Sequence, residues 1–116
     1  MNVAIVGASD NKERYAYKAR AMLKHHGYVT FLVSPLKKEI EGEKCYEKLS
    51  DIKASIDTVT FYVRSDISDK MLPDLLALKP RRAIFNPGAE NPRLAKLLQD
   101  NGIVCEEACT LVLLQT

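Results

Sequence analysis

Short apolar runs rich in valine and isoleucine alternate with longer amphipathic stretches along this chain. Strands that recur with a helix between them are joined in parallel, so the alternation predicts an α/β domain built from βαβ units. The runs stand at 3–6, 28–33, 58–63, 82–85 and 103–105. The third is nearly continuous in β-branched and aromatic residues, as a strand covered on both faces should be. A chain of 116 residues has room for one such domain and not two. The expected architecture is therefore a single doubly wound domain over 1–116, with a five-stranded parallel sheet in the order 3-2-1-4-5.

The segments between the runs read as helices with marked ends. Tyr15, Ala19, Met22, Leu23 and His26 fall on one face of a 3.6-residue period, which Gly27 closes. Residues 34–53 are too charged for core, with a turn at Gly42 and a short helix expected at 46–52. Ile67, Met71, Leu75 and Leu78 give 66–79 a helical spacing, but Pro73 predicts a kink or a late start. Asn91 suits a cap and Pro92 the first helical position, with Leu94, Leu97 and Leu98 as the apolar face and Gly102 as the end. The apolar residues 110–114 are expected to dock on the sheet.

Charge and cysteine content exclude several functions. Seventeen basic residues stand against fifteen acidic ones, a net charge of +2, so neither nucleic acid nor an anionic membrane is an expected partner. Cys45, Cys105 and Cys109 are an odd number without Cys-x-x-Cys spacing, which predicts reduced thiols and a cytoplasmic setting, with no metal site. No basic segment followed by an apolar one opens the sequence, and no stretch of about 18 apolar residues occurs. The spacing also contains no Ser-His-Asp order, paired catalytic carboxylates or Walker loop.

In an open α/β sheet the ligand lies outside the carboxyl ends of the strands, where the strand order reverses. Those ends are Gly7-Ala8-Ser9, Ser34-Pro35, Val63-Arg64 and Asn86-Pro87-Gly88. Gly7 permits close backbone approach, and the amides of Ala8, Ser9 and their successors lead to a helix N-terminus that can hold phosphate. A tight strand-to-helix turn would look the same. NAD-binding domains want three glycines here and an acid after the second strand to hold the ribose hydroxyls. This chain has only the first glycine, and Ser34-Pro35 in place of the acid. Lys37 and Lys38 follow, which suits a ribose carrying an additional phosphate, as in CoA or NADP. Two solvated lysines beside Glu39, Glu41 and Glu43 are the plainer explanation.

The segments Val-Ala-Ile-Val-Gly-Ala-Ser at 3–9, Tyr-Ala-Tyr-Lys-Ala at 15–19, Val-Ser-Pro at 33–35, Gly-Glu-Lys-Cys-Tyr at 42–46, Asn-Pro-Gly-Ala-Glu-Asn at 86–91 and Glu-Ala-Cys-Thr-Leu-Val at 107–112 carry a resemblance. Together they resemble the small stand-alone CoA-binding domain proteins, relatives of the N-terminal domain of the succinyl-CoA ligase alpha subunit. The resemblance implies a Rossmann-like domain with CoA or an acyl-CoA across the strand ends. Phosphates would lie near Gly7, Ala8 and Ser9, and the adenosine end near Ser34, Pro35 and Lys37. Val63, Asn86 and Pro87 would add contacts, and Lys18, Lys38, Arg64, Gly88 and Cys109 are the remaining candidates. Two positions depart from the family pattern, Ala16 where glycine is usual and Arg64 where proline is. The ligase's phosphohistidine belongs to a second domain, so the expected role is a non-catalytic nucleotide-binding module, a sensor or partner subunit. A protein partner or a second copy fits that role. An NADP-dependent reductase and a thiol-redox protein using Cys109 are the alternatives.

Because Ser34 stands where NAD-binding domains keep an acid, titration calorimetry should find CoA bound and NAD at least tenfold weaker, a gap of about 1.4 kcal/mol. NAD binding as strong as CoA would refute the site.

Overall fold

Asn2–Val6 form β1, which lies in the middle of the sheet and pairs in parallel on both sides. Its partners are β2 (Val29–Val33), in register from Asn2 opposite Val29 to Val6 opposite Val33, and β5 (Thr58–Phe61), from Val3 opposite Thr58 to Val6 opposite Phe61. The computed structural model describes residues 1–114. Beyond β5 the sheet continues in parallel through β6 (Arg82–Phe85) to β7 (Val104–Glu107).

On the other side two further strands lie outside β2. β4 (Glu43–Tyr46) joins it in parallel through Leu32 opposite Cys45 and Val33 opposite Tyr46, and β3 (Glu39–Ile40) pairs antiparallel with β4. The sheet thus has seven strands in the order β3-β4-β2-β1-β5-β6-β7, where the sequence suggested five. The expected third strand, 58–63, sits beside β1, and the place next to β2 belongs to the charged segment 43–46. With β4 counted third, the six parallel strands do run 3-2-1-4-5-6. The α/β, Rossmann-like, doubly wound class holds. β4 escapes a periodicity search because its sheet pairing is two residues long and its buried apolar content is one residue, Cys45.

The alternation of side chains along β1 divides the core between two faces. Val3 and Ile5, with Leu32 and Cys45, pack under α1 (Tyr15–His25) through Ala16 and Leu23. Ala4 and Val6, with Val59, Phe61 and Phe85, pack under α3 (Leu72–Leu78) and α4 (Pro92–Asp100) through Leu75, Leu94 and Leu98. The rings of Phe61 and Phe85 stack at 4.8 Å, adding to their burial.

The face that α1 buries is Ala16, Ala19 and Leu23, while Tyr15 is 65% exposed and His26 caps the helix at its end. Ala19 and Leu23 lie on the expected face, and at its start Ala16 takes the inward place expected of Tyr15, a small residue that allows close approach to the sheet. Beyond the cap the Gly27 amide donates to the Lys24 carbonyl and the Tyr28 amide to the Leu23 carbonyl, the paired bonds of a glycine-terminated helix. Residues 66–79 do not form one helix. α2 (Ser65–Ser68) gives way to a 3-10 turn at Asp69–Met71, and α3 begins with Pro73 in its first turn, the late start that proline demands. Asn91 Oδ1 accepts the Leu94 amide at 3.1 Å, capping α4, while its Nδ2 donates to Ser68 Oγ and Asp69 Oδ1 at 2.8 Å. Leu97 is exposed rather than part of the apolar face. Residues 110–114 form α5 (Thr110–Leu114), whose first residue is tied to the sheet.

Glu43 fastens α1 to the β2–β4 pair. Its carboxylate accepts from Arg20 Nε at 2.8 Å and Thr30 Oγ1 at 2.6 Å, with Lys24 Nζ at 3.2 Å. Burial pushes this carboxyl up, but the bonds from Thr30, Arg20 and Lys24 outweigh it and leave the pKa below its usual 4.5. A depressed folded-state pKa adds stability that is present above the unfolded value and lost as pH falls through the folded one. Denaturation midpoints should therefore decline below about pH 4.5, and Glu43→Gln should be less stable at pH 7 with a flatter acid limb. An unchanged acid limb would remove Glu43 from that role.

Candidate functional site

The chain winds from β1 out through β2 and β4, then returns to start β5 on β1's other side. At that reversal a groove of about 540 Å³ opens across the carboxyl ends of β1, β2 and β5, a size within the roughly 300–1,000 Å³ of ligand sites. Its walls are the loops after these three strands, the turn at Glu47, Lys48 and Leu49, and the inner side of α2 and α3.

Gly7 is dictated by its position. Its φ is +89°, and a Cβ there would lie 2.8 Å from Val63 Cγ1 and 3.1 Å from the Tyr62 carbonyl oxygen. β1 can pass the end of β5 this closely only without a side chain. The Gly7 and Ala8 amides both donate to the Val33 carbonyl, at 3.0 and 3.2 Å. Ala8 therefore does not offer its amide to a phosphate, contrary to the sequence expectation. The Ser9 amide makes no hydrogen bond among the described residues, while Ser9 Oγ accepts the Asn11 amide at 3.0 Å.

The loop after β2 is held by Ser34, which is buried. Its amide donates to the Tyr46 carbonyl at 2.9 Å, and its Oγ accepts the Leu36 amide. Pro35 and Lys37 line the groove, and Lys37 Nζ reaches Asp10 Oδ2 at 2.9 Å, joining the loops after β1 and β2. The hydrogen bond from Lys37 holds the Asp10 carboxyl below its ordinary range. Val63 and Arg64 line the third wall, with Arg64 paired to Asp66 at 3.1 Å.

The remaining candidates lie outside the groove. Lys18 is exposed on α1, its Nζ 5.5 Å from the Tyr15 ring, and Lys38 is exposed beyond the rim. Asn86 serves the architecture: Nδ2 donates to Thr60 Oγ1 at 2.6 Å and the Phe61 carbonyl at 2.8 Å, and Oδ1 accepts the Thr110 amide at 2.8 Å. Pro87 and Gly88 form an exposed turn, the Gly88 amide donating to Glu90 Oε1. Cys109 is half-buried just before α5. Burial raises the Cys45 thiol and pushes Cys105 up to about 11, so neither is a thiolate at neutral pH. Ala16, the departure in helix one, is buried on the inner face of α1 against the sheet and does not line the groove.

The sequence reading did not single out Asp10, Arg14, Leu36, Lys48, Ile67, Met71 or Asp74, all of which line the groove. Arg14 was within reach of the strand-end rule, since it precedes the helix that follows β1. The others arrive from segments that only the tertiary fold brings near. Arg14 and Lys48 make no ion pair among the described residues. Among those residues no group of three or more His, Cys, Asp or Glu is placed to hold a metal ion, and no helix is long and apolar enough to cross a membrane.

Residues 1–115 match the CoA binding domain family. The chain belongs to that family. It is similar to the crystal structure of an uncharacterized protein at 38% identity and a TM-score of 0.88, over 98% of this chain and 93% of that one. A hypothetical protein from Pyrococcus horikoshii is 27% identical with a TM-score of 0.89, over 95% of this chain and 78% of the other. The fold also recurs in the dinucleotide forming acetyl-coenzyme A synthetase 1 of Ca. Korarchaeum cryptofilum, at 22% identity and a TM-score of 0.77, where 92% of this chain covers 25% of the synthetase.

Gly7→Ala meets both a left-handed backbone and the end of β5, and should cost about 2–4 kcal/mol of stability. Gly27→Ala has φ +86° but open space around the new Cβ, so about 1 kcal/mol is expected. Urea midpoints compare the two; equal losses would mean that the approach of Val63 is not what constrains Gly7.

Proposed function

We propose that the chain binds CoA or an acyl-CoA in this groove as a non-catalytic module, working as a sensor or as the ligand-holding subunit of a partner. Membership of the CoA binding domain family over residues 1–115 supports the ligand. The observation that carries the site is the groove itself, at the reversal of strand order, with Ser34 and Pro35 where a ribose-holding acid would stand and Lys37 on the rim. Phosphates lie toward the Ser9 amide, Arg14 and Lys48, a donor and two cations that have no partner among the described residues. Charge-assisted hydrogen bonds are the strong kind for such groups. Lys37 exchanges its bond to Asp10 for the 3′-phosphate of the ligand. Lys38 lies outside the groove and takes no part.

A four-way comparison tests this. Lys37→Ala should weaken CoA about tenfold, near 1.5 kcal/mol, while dephospho-CoA, which lacks only the 3′-phosphate, binds wild type and variant alike. Lys38→Ala should change neither. Native mass spectrometry of freshly purified protein should show an adduct of CoA or acyl-CoA mass. Parallel, slight losses for both ligands in Lys37→Ala would return Lys37 to ordinary surface charge. An NADP adduct would replace the ligand assignment.

A further inference from the structure

Asn101 and Gly102 stand together where α4 ends and the turn to β7 begins, and both are exposed. Asn101 is the only asparagine of the chain followed by glycine. In that pair the side-chain amide is most open to attack by the next backbone nitrogen, because glycine carries no Cβ to block the approach. The space beside Gly102 is open, with no atom within 4 Å of where a Cβ would lie. The other asparagines are poorly placed for such a reaction. Asn86 and Asn91 are buried, and each precedes a proline, whose nitrogen has no hydrogen to lose. Asn2 precedes the branched Val3 inside β1 and donates to the Ser55 carbonyl at 2.7 Å. Asn11 precedes Lys12, and its Oδ1 accepts the Glu13 amide at 3.0 Å.

In the folded chain both reacting groups at residues 101 and 102 are held. Asn101 Nδ2 donates to the Leu97 carbonyl at 2.8 Å, and the Gly102 amide donates to the Gln99 carbonyl at 3.0 Å. The ψ of Asn101 is 17°, which turns the Gly102 nitrogen away from Cγ, whereas ring closure needs that nitrogen near the plane of Cβ and Cγ. These restraints belong to the last turn of an exposed helix, and helix ends open at small cost.

We propose that Asn101 is a site of spontaneous deamidation, gated by opening of the last turn of α4. The Gly102 nitrogen, its proton lost to solvent hydroxide, attacks Asn101 Cγ. The N–Cγ bond forms as the Cγ–Nδ2 bond breaks, and Nδ2 leaves as ammonia with a proton taken from water. A second water then opens the cyclic imide. Attack at Cγ leaves aspartate on an unchanged backbone, and attack at the main-chain carbonyl of residue 101 leaves isoaspartate, with the chain rerouted through Cβ and Cγ. Both products weaken the junction of α4 and β7. The new carboxylate stands at the negative end of the helix, next to Asp100, and the donor to Leu97 is gone. Isoaspartate also lengthens the link to Gly102 and Ile103, whose amides close α4 on the Gln99 and Leu98 carbonyls, and Ile103 is a core residue. Residues 97–103 do not line the groove, so the change acts on stability and not on the ligand site.

Peptide mapping by mass spectrometry, after incubation of the folded protein in mildly alkaline buffer, tests this, with isoaspartyl methyltransferase labelling to count the rerouted product. Residue 101 should change before any other asparagine, about ten- to a hundredfold more slowly than in guanidinium-unfolded chain, where no opening step is needed. Asn101→Gln keeps a side-chain amide but needs a larger ring, and should show no change at 101. Asn101→Asp should unfold at lower urea concentration than wild type, and aged protein carrying isoaspartate at lower concentration still. A first modification at Asn2 or Asn11 overturns the inference, as does folded protein that stays unmodified at 101 long past that interval. Equal rates in folded and unfolded chain overturn the gating by α4. Asn101→Asp and aged protein that both unfold like wild type overturn the stated effect on the junction of α4 and β7.

Discussion

β1 is hydrogen-bonded on both edges and buried on both faces, and the chain leaves it in opposite directions on its two sides. That double pairing fixes the groove. Loops that follow neighbouring strands on the two sides of a reversal diverge, so the space between them opens without any residue being removed to make it. The close passage of Gly7 beside Tyr62 and Val63 sets the floor of that space. The bonds from Gly7 and Ala8 to Val33 hold the β1 exit against β2. One glycine thereby couples the middle of the sheet to the geometry of the site.

Polar side chains inside the fold are spent on joining elements. Glu43 ties α1 to the β2–β4 pair, Asn91 ties the start of α4 to α2, and Asn86 ties β5, β6 and α5. Each is buried or half-buried and fully bonded, as the cost of an unpaired buried polar group requires. The groove is the opposite case. Its charged groups are either paired, as Lys37 is with Asp10 across the rim and Arg64 with Asp66, or without an ion pair among the described residues, as Arg14, Lys48 and Asp74 are. Groups left without partners at a reversal of strand order are available to a ligand.

The alternation of apolar runs and helical spacing made the five main strands and the covering helices legible, because a strand buried on both faces needs a near-continuous apolar run and a covering helix needs a stripe; the short helix expected at 46–52 is only a 3-10 turn at Leu49–Asp51. The caps at Gly27 and Asn91 and the late start imposed by Pro73 were equally local, since each depends on bonds within a few residues. The strand at 43–46 was not legible. Its place depends on two residue pairs with β2 and on a charged side chain, Glu43, being satisfied by Arg20 and Thr30 from other elements.

The site divides in the same way. The sequence by itself determined that a glycine ends β1, that Ser34 and Pro35 stand where a ribose-holding acid would, and that the strand-end loops gather at one edge of the sheet, because the chain direction of parallel strands puts all their carboxyl ends on one side. Only the tertiary structure decided that Asn86, Lys18, Lys38 and Cys109 stay out of the groove and that Arg14, Lys48 and Asp74 enter it. Which loop residue faces inward depends on helix phase, on where α3 starts and on which amides neighbouring strands have already taken. Those are set by contacts between residues far apart in the chain, and no local pattern records them.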